Sequence, residues 1–335
     1  MDDHESALFL FHEAMAFTYA AALRAVVLTG VADHLSDGPR TAAELAEATG
    51  TSADGLRRTM RLLVTRGVFE DHGDDLFALA PRGVALRTHS PLSARPAILM
   101  FTDRMWWDTA WELTTTLRDE NVGFAGVFGT SLQTYFDADA DREALFYAGM
   151  EAVSDAEIPY VVDLCDLPDT GVVADLGGRH GALLRAVLRR HAGLHGILFD
   201  RSQQVLDRHR LGATDLAARC DIVCGDFMVD VPAADVYLLK RVVHNLDDEQ
   251  TALLLRNCLE RLRPGGRVMV VDAIVPPDGQ RHQSKEMDLM MLAAHTGRER
   301  TESELDAVFA AGGLRLTKVV RTPSVMSIAE GVPAR

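Results

Sequence analysis

A cluster of glycines at residues 177–181 directly follows a short apolar run that includes Asp175 near its end. The apolar residues after the cluster recur at helical spacing, so the segment predicts a buried parallel strand that turns tightly into a helix. Gly177 and Gly178 remove side chains that would keep a ligand from the backbone, and Gly181 lets the helix start close to the strand. The helix N-terminus then faces a ligand. The turn alone is a weak signal, because dinucleotide sites share it.

Other chemically suitable side chains stand at or just beyond the ends of later predicted strands. Asp200 ends the strand G-I-L-F-D, where a carboxylate can accept hydrogen bonds from two ribose hydroxyls. Asp226 and Phe227 follow the next strand, where they suit an adenine amino group and the face of the base. Open α/β sheets bind ligands at this edge. Three further residues there are candidates for the same site: Lys240, His244 and Asp272.

The elements that must position these residues alternate along the C-terminal half of the chain. From about residue 170, predicted strands alternate with helices, which argues for a doubly wound parallel sheet. The predicted strands are 172–175, 196–200, 221–224, 235–239 and 267–272, with a P-G-G turn at 264–266 before the last one.

The N-terminal part predicts helices and one small hairpin. Residues 5–35 carry an apolar helical pattern with few charges, which is typical of a helix buried against a second subunit. A capping box at Thr41 and Glu44 begins a helical module over 41–72, and a hairpin around a D-H-G-D-D turn completes a winged-helix pattern. Residues 92–160 are predicted to be helical again.

The chain has 335 residues, 47% of them hydrophobic, and a formal net charge of −15. The length suggests two domains or one large one, and the acidic balance argues against nucleic acid or anionic membranes as partners. The cysteines show neither metal-type spacing nor a disulfide framework. The acidic start, and the lack of an apolar run of membrane-spanning length, predict a soluble cytoplasmic protein. The winged-helix pattern leaves DNA binding as an alternative, with phosphate contacts from Arg57, Arg58, Arg61 and Arg66.

Taken together, these motifs resemble the plant-type O-methyltransferases, an S-adenosylmethionine-dependent family common in bacterial secondary metabolism. The resemblance covers nearly the whole chain and implies a Rossmann-like, mostly parallel sheet at the C-terminus with an N-terminal helical, winged-helix-like dimerisation domain. It implies methyl transfer to a small-molecule acceptor, first of all to a hydroxyl group, by a homodimer. The expected domains are 1–95 for dimerisation, 96–165 for a helical region at the acceptor pocket and 166–335 for cofactor binding and catalysis.

The resemblance also implies roles for single residues. His244 is expected to be the general base, neutral at pH 7, with its other ring nitrogen held by Asp272 or Glu299. The residues expected to bind the cofactor are Asp175, Gly177, Gly178, Gly181, Asp200, Asp226, Phe227 and Lys240. Those expected to line the acceptor pocket are Trp106, Trp107, Phe146, Met150 and His295.

Departures from the family pattern keep alternatives open. Arg179 stands at the third glycine of the first motif, and the family's H-D-W is His244-Asn245-Leu246 here. His244 and His295 could instead bind a divalent or ferric metal ion, as in metal-dependent C-methyltransferases that act on the β-carbon of 2-oxo acids. A further alternative keeps the fold and cofactor but replaces methyl transfer by decarboxylation, hydroxylation or pericyclic chemistry.

Overall fold

The computed structural model describes residues 2–119, 123–201, 211, 216–294 and 297–334. They form two compact units. The first comprises Met1–Trp107 and Gln133–Ala156, and the second comprises Asp108–Leu132 and Glu157–Arg335. The division of the chain into domains at 95 and 165 stays a prediction.

The first unit contains short helices around a small antiparallel sheet. The helices are α1 Asp3–Ala14, α2 Phe17–Thr29, α3 Ala42–Thr49, α4 Ala53–Val64 and α5 Arg95–Phe101, and the strands are β1 Arg40–Thr41, β2 Phe69–Asp71 and β3 Leu76–Leu79. The strand order is β1-β3-β2, so the predicted hairpin forms. The capping box at the start of α3 is also confirmed, because the Thr41 side chain accepts from the Glu44 backbone N–H. The unit's core includes Val26, Leu45, Met60, Leu63 and Phe77.

The N-terminal arm differs from the single buried helix predicted for 5–35. It breaks at Met15 and Ala16 into α1 and α2, and α1 has no buried residue. By length and composition alone, the stretch Asp3–Thr29 could cross a membrane, so the statement that no apolar run reaches that length was wrong. The break leaves helices of 12 and 13 residues, each shorter than the roughly 20 residues of one spanning helix.

Helices continue through the middle of the chain, as predicted for 92–160. They are α6 Arg104–Trp111, α7 Leu113–Asp119, α8 Gly123–Phe128, α9 Leu132–Asp137 and α10 Ala140–Leu164. The chain passes between the two compact units three times, after Trp107 in α6, after Leu132 in α9 and after Ala156 in α10.

The second unit is built on a mostly parallel sheet. Its strands are β4 Gly171–Leu176, β5 Leu194–Asp200, β6 Cys220–Cys224, β7 Ala234–Lys240, β8 Leu262–Val275, β9 Arg300–Thr301, β10 Leu314–Arg321 and β11 Met326–Pro333. The order is β10-β11-β8-β7-β4-β5-β6, with β9 beside β8. Strands β4 to β9 pair in parallel, whereas β10 and β11 pair antiparallel. The doubly wound sheet predicted from the alternation is therefore confirmed.

Alternate residues of the central strands bury opposite faces of this sheet. On β4, Val173 joins one core cluster and Ala174 the other, and Leu238 and Leu239 of β7 divide in the same way. Helices α11 Ala182–Arg190, α12 Asp248–Arg261, α13 Gln283–Ala294 and α14 Glu302–Ala311 complete the described helices of this unit. Strands buried on both faces read as continuous apolar runs, which is why their positions could be predicted.

The tripeptide Pro264-Gly265-Gly266 lies inside β8 rather than before it. The pairing of β8 with β7 passes from Ala234↔Leu262 directly to Val236↔Arg267, and Gly265 has φ +79°. The predicted turn is thus an outward bulge that lets β8 begin earlier than residue 267.

The first strand of this sheet along the chain, β4, lies between β5 and β7. The connections from these strands leave in opposite directions at this point, which is where doubly wound sheets leave a crevice for a ligand. The predicted site residues that follow β4, β5 and β7 therefore lie around one topological switch point.

Candidate active site

The glycine turn connects β4 to α11. The Gly177 N–H donates to Phe199 O over 2.8 Å, which ties the turn to the end of β5. A Cβ atom at Gly178 would lie 2.5 Å from Asp175 Oδ2, so no larger residue fits there. Gly181 caps α11 with φ +74°, a conformation that residues other than glycine rarely adopt. The turn is thus a cradle in which backbone, rather than side chains, faces the crevice.

Arg179 keeps the conformation of the glycine that it replaces. Its φ is 51°, in the left-handed region. Its backbone N–H donates to Asp200 Oδ2 over 3.2 Å. Arg179 thus adopts a backbone conformation that favours glycine, and its N–H connects the turn to Asp200.

Asp175 lies underneath the turn. Its side chain is buried, and Oδ2 has no hydrogen-bond partner among the described residues. Burial raises the pKa of this carboxyl to about 7, although a backbone hydrogen bond from Leu184 opposes the shift. A role in direct cofactor binding stays a prediction for Asp175, whereas its support of the turn is visible.

The structure brings Phe227 to the same turn. Its ring carbon Cε1 lies 3.8 Å from the position that a Cβ atom of Gly177 would occupy. The loop that carries it is held by Asp226 Oδ1, which accepts from the Met228 N–H over 2.8 Å. Asn257 Nδ2 donates to Phe227 O over 2.9 Å and fixes the same loop to α12. One space at the switch point is therefore bordered by the glycine turn, by Asp200 and by the Asp226–Phe227 loop.

Lys240 is held in a buried ion pair that the sequence did not suggest. Its Nζ lies 2.8 Å from Glu157 Oε2, and Arg241 Nη2 lies 2.6 Å from Glu157 Oε1. Burial alone would raise the pKa of Glu157, but Arg241 and Lys240 outweigh it and lower the pKa. Burial lowers the pKa of Lys240. The predicted cofactor contact of Lys240 stays a prediction beside this observed pairing with the carboxylate.

His244 is held by both predicted acids, each at a different atom. Its backbone N–H donates to Asp272 Oδ2 over 3.1 Å, and its Nδ1 lies 2.9 Å from Glu299 Oε1. The imidazole sits on a single 3-10 turn, Val243–Asn245, after β7. Of the two alternatives, Glu299 therefore contacts the ring, and Asp272 fixes the backbone. The ring nitrogen Nε2 is left for other chemistry.

Burial dominates the electrostatics of this cluster. It raises the pKa of Glu299 to about 8 and that of Asp272 to about 6, and it lowers the pKa of His244. Asp272 Oδ1 and Glu299 Oε2 are buried without a hydrogen-bond partner among the described residues. Buried acceptors of this kind usually find a partner. The cluster therefore has unused hydrogen-bonding capacity next to a basic nitrogen.

Four of the five predicted acceptor residues, Trp106, Trp107, Phe146 and Met150, belong to the first compact unit. Trp106 is buried with its ring 6.3 Å from Phe146, whereas Trp107 is 38% exposed and Met150 is half-buried. The Trp106 indole N–H has no partner among the residues that the structure describes. His295 lies outside the described residues. A role for all five in acceptor binding stays a prediction.

Sequence reasoning missed Glu157, Arg241 and Arg300 at the site. Glu157 is a single acid in an ordinary helical pattern, and Lys240 lies 83 positions further along the chain. Arg300 is adjacent to Glu299, and its guanidinium contacts the turn that carries His244. The only sequence signal for Arg300 was its place in the G-R-E-R segment beside a predicted catalytic acid.

Comparison with known proteins identifies the family of the chain. Residues 110–315 match the O-methyltransferase domain family, and residues 11–89 match the O-methyltransferase dimerisation domain. The crystal structure of CalO1, a methyltransferase in calicheamicin biosynthesis in its S-adenosylhomocysteine-bound form, is 55% identical, with a TM-score of 0.95 over 100% of both chains. This match confirms the predicted fold class and the predicted cofactor.

Curated relatives extend the comparison to named activities. The mitomycin biosynthesis 6-O-methyltransferase of Streptomyces lavendulae is 37% identical over 303 residues, 89% of this chain and 86% of the relative. The phenazine O-methyltransferase PhzM of Lysobacter antibioticus is 33% identical over 308 residues, 91% of this chain and 89% of the relative. The chain therefore belongs to the O-methyltransferase family and is an S-adenosylmethionine-dependent methyltransferase.

Proposed function

We propose that the enzyme methylates a hydroxyl group on an aromatic small molecule of secondary metabolism, with His244 as the general base. The observation that carries this proposal is the 2.9 Å contact between His244 Nδ1 and Glu299 Oε1 in a buried cluster. A carboxylate on one ring nitrogen orients the imidazole and stabilises the imidazolium that forms when the other nitrogen accepts a proton. The relatives described above are named for O-methylation of mitomycin and phenazine compounds, which supports an aromatic hydroxyl as the acceptor group.

The residues around the switch point fit the cofactor. We infer that the backbone of the glycine turn lies close to the amino acid portion of the cofactor. Asp200 accepts hydrogen bonds from the ribose hydroxyls, and Phe227 covers the base. Asp226 is assigned to the adenine amino group. A Cβ atom at Gly178 would lie 2.5 Å from Asp175 Oδ2 beneath the turn, so glycine lets the turn's backbone lie close to the sheet, which supports this assignment. When bound, the cofactor supplies an electrophilic methyl group.

Asp200 gives the first test of the cofactor site. A carboxylate that accepts two hydrogen bonds contributes about 1.5–3 kcal/mol for each of them when the partner would otherwise be left unpaired. We therefore expect Asp200→Ala to weaken S-adenosylhomocysteine binding at least about tenfold in isothermal calorimetry. The matched control is Asp221→Ala, which removes an exposed carboxylate that pairs with His195 on the same sheet. Equal affinities for parent and Asp200→Ala would remove Asp200 from the site.

The chemical step needs one particular protonation state of the His244–Glu299 pair. In that state one proton lies between Nδ1 and Oε1, and Nε2 carries a lone pair that can accept the acceptor's hydroxyl proton. When the pair binds a second proton, Nε2 is protonated, whether the pair is written as imidazolium and carboxylate or as neutral imidazole and carboxylic acid. The pair then cannot act as a base.

This proton count predicts how turnover depends on pH. Because burial raises the pKa of Glu299 to about 8, the pair binds its second proton as the pH falls through that value. We expect kcat/KM to fall about tenfold per pH unit on the acidic side and to level off on the alkaline side. The measurement is release of S-adenosylhomocysteine with a panel of phenols and hydroxylated aromatic acids.

Replacement of Glu299 tests the origin of that pH dependence. In Glu299→Gln the buried imidazole titrates alone, and burial lowers its pKa, so the acidic limb should move to lower pH. The plateau should fall as well, because the imidazolium loses its anionic partner. The control Glu302→Gln changes an exposed acid at the start of α14. It should keep the acidic limb of the pH profile where it is in the parent. A limb that stays in place in Glu299→Gln would contradict the assigned pair.

Metal-dependent C-methylation is not favoured. Glu299 already engages one nitrogen of His244, and no group of three or more His, Cys, Asp or Glu side chains among the described ranges is arranged for a metal ion. The other predicted ligand, His295, lies outside those ranges. Chelator treatment is expected to leave turnover unchanged. Stoichiometric release of S-adenosylhomocysteine with product would likewise argue against decarboxylation, hydroxylation or pericyclic chemistry.

We also infer that the enzyme acts as a homodimer in the cytoplasm. The match of residues 11–89 to the dimerisation domain supports a homodimer. The net charge of −15 disfavours nucleic acid and anionic membranes as partners. Three of the arginines that would contact DNA phosphates in a winged helix, Arg57, Arg58 and Arg61, pair with Asp54 or Asp75 instead.

A further inference from the structure

One buried guanidinium holds both ends of the turn that carries His244. Arg300 Nη1 donates to Val243 O over 3.0 Å, and Nη2 donates to Leu246 O over 2.8 Å. The same side chain contacts Asp248 Oδ1 through Nε at 3.0 Å and through Nη2 at 2.8 Å. It is 3% exposed. The guanidinium thus connects the first residue of the turn, Val243, with Leu246 after the turn and with Asp248 at the start of α12.

The turn has few bonds of its own. Asn245 N–H donates to Val242 O and Leu246 N–H donates to Val243 O, each over 3.1 Å. A single 3-10 turn is a weakly determined element that neighbouring groups must hold in place. The carbonyls of Val243 and Leu246 accept hydrogen bonds from the Arg300 guanidinium. Removal of this donor would break both bonds and leave the Leu246 carbonyl without it.

The segment that leads into β9 also approaches the backbone of the turn closely. A Cβ atom at Gly297 would lie 2.0 Å from His244 O and 2.7 Å from Asn245 C, so only glycine allows this approach. Strand β9 is anchored in parallel on β8 through Ile274↔Arg300. Glu299, which immediately precedes β9, contacts the imidazole, while Arg300 contacts the carbonyls that flank it.

We propose that Arg300 is a positioning residue for catalysis: its clamp on Val243 and Leu246 sets the place from which the His244 imidazole meets Glu299 and the acceptor. The proposal rests on the base role proposed for His244. Glu299 and Arg300 then work as one unit, in which two consecutive residues at the start of β9 fix the ring of His244 and the backbone of the turn that carries it. A displacement of about 1 Å at a catalytic group can cost about 10²-fold in rate.

Arginine suits this clamp better than lysine. Its planar fork reaches two carbonyls and a carboxylate at once, whereas a lysine ammonium is a point charge that cannot span them in one fixed geometry. Charge alone is therefore not expected to replace it. Arg300→Lys keeps the charge and loses the fork, and Arg300→Met loses both.

The test compares these two variants with Arg219→Met in the full chain. Arg219 is a matched control, because its guanidinium also donates to three backbone carbonyls, those of Leu188, His191 and Leu194, away from His244. Proton NMR of protein labelled with nitrogen-15 in histidine should show one far-downfield proton from the Nδ1–Oε1 hydrogen bond. Its absence from His244→Ala assigns it.

We expect the downfield proton to shift or vanish in both Arg300 variants and to persist in Arg219→Met. Turnover should fall at least about tenfold in the Arg300 variants, with S-adenosylhomocysteine affinity within about threefold of the parent. If Arg300→Met does not fold, Arg300→Lys decides the outcome. An unchanged resonance in a folded Arg300 variant overturns the proposal, and so does its loss in Arg219→Met. Parental turnover by His244→Ala would instead refute the base role, since the resonance is read without any acceptor.

Discussion

His244→Ala is expected to lower turnover by about 10²–10⁴-fold, the usual cost of losing a general base. In the proposed mechanism no other described side chain replaces it, because Asp272 and Glu299 are engaged in holding the histidine. Binding of S-adenosylhomocysteine should stay within about threefold of the parent, since the glycine turn and Asp200 do not depend on the imidazole. Turnover is measured as S-adenosylhomocysteine release, and binding by calorimetry.

A surface histidine provides the control for this experiment. His195 pairs with Asp221 at 2.9 Å and its side chain is 40% exposed, so His195→Ala removes an imidazole with no place in the site. It should turn over at the parental rate. The base assignment fails if His244→Ala and His195→Ala have equal rates at every pH. A loss of both turnover and cofactor binding in His244→Ala would mean that the cluster holds the fold and does not act as a base.

The central sheet was predictable because its strands are buried on both faces. The apolar runs at 172–175 and 235–239 lie within β4 and β7, and the glycines between strand and helix marked the turn. The N-terminal arm was less predictable. Its apolar residues follow a helical period whether they face a core or a partner subunit, and periodicity contains no information on the break at Met15 and Ala16.

The catalytic candidates of the site could be named from the sequence, but the contacts between them could not. The family resemblance grouped His244 with Asp272 and Glu299, but it did not show which acid contacts the backbone N–H and which contacts the ring nitrogen. Glu157 was beyond reach for a different reason. Its importance comes from facing two cations that are distant in the chain, and one acid on a helix usually indicates a solvated surface position. Tertiary packing alone made it a buried counter-ion.

The exposed apolar surface of α1 leads to the second large expected effect. Phe11 in α1 is 66% exposed. Met15, the C-cap residue of α1, keeps a right-handed helical backbone conformation, is 60% exposed and lies four residues after Phe11 on the same face. Burial of each such side chain in an interface contributes about 1.5–3 kcal/mol. In a two-fold dimer every substitution acts twice. The double variant Phe11→Glu/Met15→Glu should therefore lose at least about 6 kcal/mol of association free energy, or about 10⁴-fold in the dimer dissociation constant.

Light scattering at micromolar concentration measures the loss of the dimer directly. The parent should have twice the 36.6 kDa mass of one chain, and the double variant should have the mass of a single chain. Val229→Glu is the control, since Val229 is 78% exposed in the second compact unit and its substitution should leave the dimer intact. Cofactor binding by the monomeric variant would show that the second unit folds without the interface. A monomeric parent, or a double variant that stays dimeric, would mean that α1 covers its apolar face in some other way.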